Sequence, residues 1–170
     1  GSFKDIWRNA DYWKPDTMKY PRGLRPVVDR AHELGIEIGL WFNPSVQDDF
    51  ADWEKDAATL VGLYRDYGIR MFKIDGLAIN SKLGEERLRR LFDKVMLESG
   101  NEVVFNLDAT AGRRAGYHML NRYGNIFLEN RYTDWGNYYP YHTLRNLWML
   151  SKYVPAEILQ ICLLYTSPSP

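Results

Sequence analysis

Four times in succession, a helical stretch of this chain ends at a glycine and gives way to a short apolar run with polar residues near its end. The glycines are Gly35, Gly68, Gly100 and Gly124. Leu24 to Leu34 carries Leu24, Val27, Val28, Ala31 and Leu34 at helical spacing, and Gly35 stands where a C-terminal cap belongs. Ile36 to Pro44 then alternates like a strand, with Ile36, Ile38, Leu40 and Phe42 on one face and Glu37, Gly39, Trp41 and Asn43 on the other. The second cycle is a helix over Asp52 to Tyr67, with Trp53, Leu60, Leu63 and Tyr64 on its apolar stripe, followed by a strand over Ile69 to Asp75. The third is a helix from Glu85 to Glu98, with Leu88, Leu91, Phe92 and Val95 apolar, followed by a strand over Glu102 to Asp108. A shorter crossover, Arg114 to Tyr123, leads to a strand over Asn125 to Asn130; a last helix, Tyr141 to Tyr153, precedes a fifth strand around Ile158 to Leu163.

Strands alternating with helices every 25 to 35 residues or so predict βαβ units and a parallel sheet. The even repeat, with no glycine-rich dinucleotide fingerprint after any strand, favours a barrel over an open doubly wound sheet. A complete (β/α)₈ barrel needs about 250 residues, and this chain has 170. The expected fold is therefore α/β: a partial (β/α)₈ TIM barrel holding about strands three to six or seven, over residues 1–161. Residues 162–170 (CLLYTSPSP) break composition abruptly and read as a non-native tail. An incomplete barrel exposes two sheet edges, so the 170 residues alone are expected to be inactive and poorly stable.

Composition narrows the partners. Lys plus Arg and Asp plus Glu balance at 22 each, so no charge footprint points to nucleic acid or an anionic membrane. No run approaches the roughly 18 apolar residues of a membrane-spanning helix, and no secretory leader is visible at GSFKDIW. The single Cys162 excludes an internal disulfide framework. His118 and His142 share no metal spacing with Cys162 or each other, so no metal site is expected, and His32 reads as a surface residue of its helix.

On each strand the face opposite the aliphatic one ends in polar groups. Strand by strand these are Trp41 and Asn43, then Lys73 and Asp75, then Asn106 and Asp108, then Glu129. In a barrel all would point to the face formed by the strands' C-terminal ends, where barrel enzymes do their chemistry. Asp75 and Glu129 have the role separation of a retaining glycosidase: one carboxylate attacks the anomeric carbon, the other protonates the leaving oxygen and then activates water. Lys73 would keep Asp75 ionised and donate to a sugar hydroxyl, and Trp41 would stack on an apolar pyranose face or cap the core.

Along the chain stand Trp13 with KYPRGL (Lys19 to Leu24), GLWFNP (Gly39 to Pro44), KID (Lys73 to Asp75), TAGRR (Thr110 to Arg114) and ENRYTDW (Glu129 to Trp135). This run of motifs resembles the catalytic barrel of clan D glycoside hydrolases, particularly the family 36 α-galactosidase (melibiase) group. It implies Asp75 as nucleophile, and it departs from the family at Asn43, where Glu is usual, and at NLDATAG (Asn106 to Gly112), where a Cys-containing glycine-rich sugar-binding segment is usual. The family's acid/base Asp falls on Asn130 without a gap and on Glu129 with a small one, with Asp134 a third position; strand alternation favours Glu129. The expected activity is retaining hydrolysis of α-linked glycosides, α-galactosidase-like, without cofactor. Asp75 and Glu129 are the catalytic pair, and Trp41, Asn43, Lys73, Asn106, Asp108, Arg114 and Asp134 bind an oligosaccharide or glycoside substrate. Two other readings are a catalytically inactive carbohydrate-binding barrel, kept open by Asn130, and a Schiff-base lyase or aldolase using Lys73. Asp75, two residues away, argues against the latter by holding the amine charged.

Overall fold

The structure is a computed structural model that describes residues 13–108, 122–128 and 140–161. Its elements run α1 (Arg25–Glu33), β1 (Gly39–Phe42), α2 (Trp53–Tyr67), β2 (Met71–Ile74), α3 (Lys82–Glu98), β3 (Val104–Asp108), β4 (Gly124–Leu128), α4 (Pro140–Leu150), a 3₁₀ turn (Ala156–Ile158) and β5 (Leu159–Ile161). All five strands are parallel, and their spatial order is their chain order. Each connection thus advances one strand in the same direction, whereas a doubly wound sheet reverses at a switch point. This is an α/β fold with a singly wound parallel sheet, compatible with part of a barrel.

The sheet buries one face under its helices. Phe42, Phe72, Ile74, Phe105 and Leu107 point into a core completed by Leu60 and Val61 of α2 and by Leu88, Leu91, Phe92 and Val95 of α3. Tyr123 joins this core just before β4; its ring packs near Phe92 and its hydroxyl donates to Asp93 at 2.7 Å. Burial, then the Asp93 carboxylate beside it, pushes that hydroxyl up to about 12.

Three of the four glycines punctuate as the sequence predicts, while Gly124 opens β4 itself. Gly35, Gly68 and Gly100 all have left-handed φ, and after α1 the Gly35 and Ile36 amides close back on the His32 and Ala31 carbonyls. Among the differences from expectation are two element bounds and one apolar stripe. β1 starts at Gly39 because β2 begins at its register partner Met71, and no paired residue of β2 lies opposite Ile36 to Ile38. The inward stripe of α2 is Ala57, Leu60 and Val61, with Trp53, Leu63 and Tyr64 only partly buried at its margins. α3 starts a turn early at Lys82, because Ser81 caps it: its Oγ accepts the Gly84 amide at 2.9 Å.

One buried carboxyl ties the loop after β1 to α2. Asp56 is 3% exposed, and its Oδ2 accepts the Ser45 amide at 2.8 Å. Burial, reinforced by the Asp52 charge and opposed by the Ser45 bond, raises its pKa from 3.8 to about 6. The folded state therefore holds this proton more tightly than the unfolded chain, and stability falls as pH rises from about 4 to about 6. Asn at this position keeps an oxygen for Ser45 and never ionises. Asp56→Asn is expected to stabilise the domain at pH 7 by on the order of 2–3 kcal/mol and to flatten that part of the pH profile. Urea midpoints at pH 4 and pH 7 for both proteins measure this.

Candidate functional site

On the face away from the helices, the register stacks side chains in three tiers. The lowest is Gly39, Met71 and Val104, side by side on β1, β2 and β3. The next is Trp41, Lys73, Asn106 and Asn125. One step further, at the C-terminal ends, Asn43 follows Phe42, Asp75 follows Ile74, and Asp108 is level with Phe127 and Gln160. The face is apolar at its base and polar at its mouth. That gradient gathers groups able to bind and to transfer protons at the strands' C-terminal ends, where parallel α/β sheets place their sites.

Asp75 in the upper tier is held from two sides. Its Oδ2 accepts the indole N–H of Trp41 at 3.3 Å, and its Oδ1 accepts the Gly76 amide at 2.6 Å. Its own amide donates to the Phe42 carbonyl at 3.0 Å, extending the β1–β2 ladder past the last strand residue. The carboxylate is thus fixed by a side chain one strand away and by the backbone behind it. Trp41 remains 43% exposed, so its indole binds Asp75 while keeping open surface. Trp13 backs it, with ring centroids 6.2 Å apart, and stacks on Phe42 at 4.1 Å.

Gly76 is required by two independent facts. Its φ is +70°, and a Cβ there would occupy the space of the Asn43 carboxamide. Asn43 therefore leans over the turn that follows Asp75. Gly76→Ala is expected to cost about 1–2 kcal/mol from backbone strain alone. It should also move the Asn43 side chain, visible as a displaced carboxamide in a crystal structure of the variant and as a lowered urea midpoint.

Asn106 is 7% exposed; its Nδ2 donates to Gln160 Oε1 at 2.5 Å, while its Oδ1 is buried with no hydrogen-bond partner among the described residues. A buried acceptor left over in this way is costly, and here it stands among the polar groups of the open face. Asp108 is 2% exposed on the neighbouring tier, and Lys73 is half-buried between Trp41 and Asn106 in register. The structure thus brings together Trp41, Asn43, Lys73, Asp75, Asn106 and Asp108. Glu129, Arg114 and Asp134 lie outside the described residues. Gln160 is an addition to the set: the alternation Leu159–Gln160–Ile161 places it between two apolar neighbours, a signal in the sequence once β5 is seen to pair with β4. His32, by contrast, is an exposed helix residue 3.5 Å from the Glu37 carboxylate. Among the described residues no group of His, Cys, Asp and Glu could hold a metal ion, and no helix is long and apolar enough to cross a membrane.

A 40-residue stretch is 40% identical to an α-galactosidase of Escherichia coli. It covers 24% of this chain and 6% of that enzyme, so the similarity concerns a short part of a much longer protein. No family model matches the chain, and no solved structure matches it.

Proposed function

We propose that this chain forms part of the (β/α)₈ catalytic barrel of a retaining glycoside hydrolase of the clan D, family 36 type, acting on α-linked glycosides such as α-galactosides. The observation that carries the reading is Asp75 itself. It stands at the C-terminal end of a parallel strand, held by the Trp41 indole and the Gly76 amide, among Asn43, Lys73 and Asp108. The one-way winding of the sheet and the half-exposed Met71 (41%) and Val104 (37%) support closure into a barrel. Both lie in the lowest tier, where a barrel interior is filled by apolar layers. The similarity to an α-galactosidase supports the substrate class.

In this mechanism Asp75 attacks the anomeric carbon while Glu129 donates a proton to the leaving oxygen, breaking the glycosidic bond and forming a glycosyl ester on Asp75. Glu129, now a carboxylate, then takes a proton from water as that water attacks the same carbon, releasing the sugar with its original anomeric configuration. The alternation of β4, with Ile126 buried in the helix-side core, supports Glu129 on the site face one position beyond Leu128. β2 and β4 are separated by one strand, roughly 10 Å at the backbone, and the mechanism requires the two carboxyls to approach to the roughly 5–5.5 Å of retaining enzymes. Asn43, Lys73, Asn106, Asp108, Arg114 and Asp134 bind sugar hydroxyls, and Trp41 offers an apolar face.

The test is a panel of aryl α- and β-glycosides with the intact protein, following aryl release and, by NMR, the anomer formed first. Release from α-glycosides, with the α-anomer appearing first, is the expected result. Inversion would overturn the mechanism, and silence across the panel would overturn the activity.

A further inference from the structure

A second feature of the molecule is absent from the catalytic reading. Between α2 and the segment preceding α1 lies a cavity of about 480 Å³, within the roughly 300–1,000 Å³ of small-molecule sites. Its walls are three aromatic residues, Trp13, Tyr20 and Tyr67, and its floor is one face of α2.

Two observations indicate that the space serves an occupant. Gly62 sits in the middle of α2 and lines the cavity, and a Cβ built on it meets no atom within 4 Å. Glycine in a helix interior is unfavourable relative to alanine, and among the described residues no packing, turn or left-handed backbone at Gly62 demands it. What the glycine does achieve is an open floor. The second observation is the mixture of charge around the rim. Lys14 and Lys55 line it together with Asp52, Asp56 and Asp66. Such a mixed wall suits a ligand rich in hydroxyls, each able to donate and to accept. It offers ammonium donors and carboxylate acceptors at close spacing, beside aromatic rings whose negatively polarised faces attract polarised C–H groups.

We infer that this cavity is a second saccharide-binding site, in which a neutral pyranose lies against Trp13 and Tyr67 over Gly62 and shares its hydroxyls among the lysines and aspartates of the rim. The inference stands on the cavity alone and holds whether or not Asp75 performs catalysis. Its position also brings it close to the candidate site. The ring of Trp13 that forms one wall contacts Phe42 and Trp41, and Trp41 holds Asp75.

The experiment is a titration of intact protein with methyl α- and β-pyranosides, read by tryptophan fluorescence and by isothermal calorimetry, with tetramethylammonium as a cationic control. Three proteins are compared: wild type, Asp75→Asn and Gly62→Leu. Leucine at position 62 improves helix propensity and fills the floor, so the variant is expected to fold at least as well as wild type, checked by its urea midpoint. The expected result is saturable millimolar binding of a pyranoside that persists in Asp75→Asn and falls at least tenfold in Gly62→Leu. Binding that survives unchanged in Gly62→Leu would place the saccharide elsewhere and overturn the inference. Preference for tetramethylammonium over every pyranoside, or no saturable response in wild type, would overturn it as well. Failure of the catalytic panel leaves this titration intact, so the two proposals fail separately.

Discussion

Asp75→Asn in the intact protein is expected to reduce hydrolysis of aryl α-glycosides by at least about 10⁴-fold, the scale on which enzymes lose rate when a nucleophile is removed. The variant is isosteric and keeps an oxygen for the Gly76 amide or the Trp41 indole, so the site's geometry should survive and the loss should be chemical. Substrate binding, measured by calorimetry with the inactive variant, should change little. A sharper version uses Asp75→Gly with added azide. The small anion takes the vacated position and attacks the anomeric carbon directly, releasing the glycosyl azide of inverted configuration. Turnover of Asp75→Asn within tenfold of wild type would remove Asp75 from the nucleophile's role.

The largest effect on folding is expected at Gly124. This residue opens β4 with φ +154°, paired in register with Phe105. A Cβ there would fall on the backbone of Phe105, against its carbonyl oxygen and its amide nitrogen. A flexible side chain could yield to such an intrusion, but a main chain engaged in a sheet cannot. Gly124→Ala must therefore push β4 away from β3, at a point where Phe105 and the adjoining Tyr123 are both fully packed. We expect a loss above about 4 kcal/mol, the range reserved for strain or disrupted core packing. It should be read as a collapsed urea midpoint or loss of soluble expression. A midpoint within about 1 kcal/mol of wild type would show that the two strands separate without cost.

The elements whose cues are local were legible in the sequence. The stripe of Leu88, Leu91, Phe92 and Val95 identified α3 because a regular apolar period leaves little choice of buried face. Its start was hidden: Gly84 in the first turn discourages a helix, and only the structure shows that this glycine packs closely on Asp49, Ser81 and Phe50. In α2 the larger side chains, Trp53, Leu63 and Tyr64, claimed the stripe in the sequence, yet Ala57 and Val61 take the innermost positions. A helix lying on a sheet is centred where small side chains let it approach.

Much of the candidate site was legible for the same reason that β-strands are. Period-two alternation fixes which residues share a face, and parallel pairing of successive strands brings Trp41, Lys73 and Asn106 level. What alternation cannot supply is a bond across strands. The indole that holds Asp75 comes from 34 residues earlier, and the Gln160 that receives the Asn106 amide from 54 residues later. Neither partner follows from its own neighbourhood. The same holds for Asp56, an ordinary first-turn acid by sequence that proves to be buried on the Ser45 amide.

The chain-order arrangement of the strands has a consequence for how the protein is made. Because β2 docks on β1, β3 on β2, and so on, every pairing needs only the unit synthesised immediately before it. Each closure spans only the segment between successive strands, which keeps the entropic cost of bringing strands together low. Folding can therefore proceed by accretion during translation, with the edge of the growing sheet serving as template for the next unit. In such a scheme Asp75 is set against Trp41 as soon as β2 docks on β1, well before Asn106 can meet Gln160.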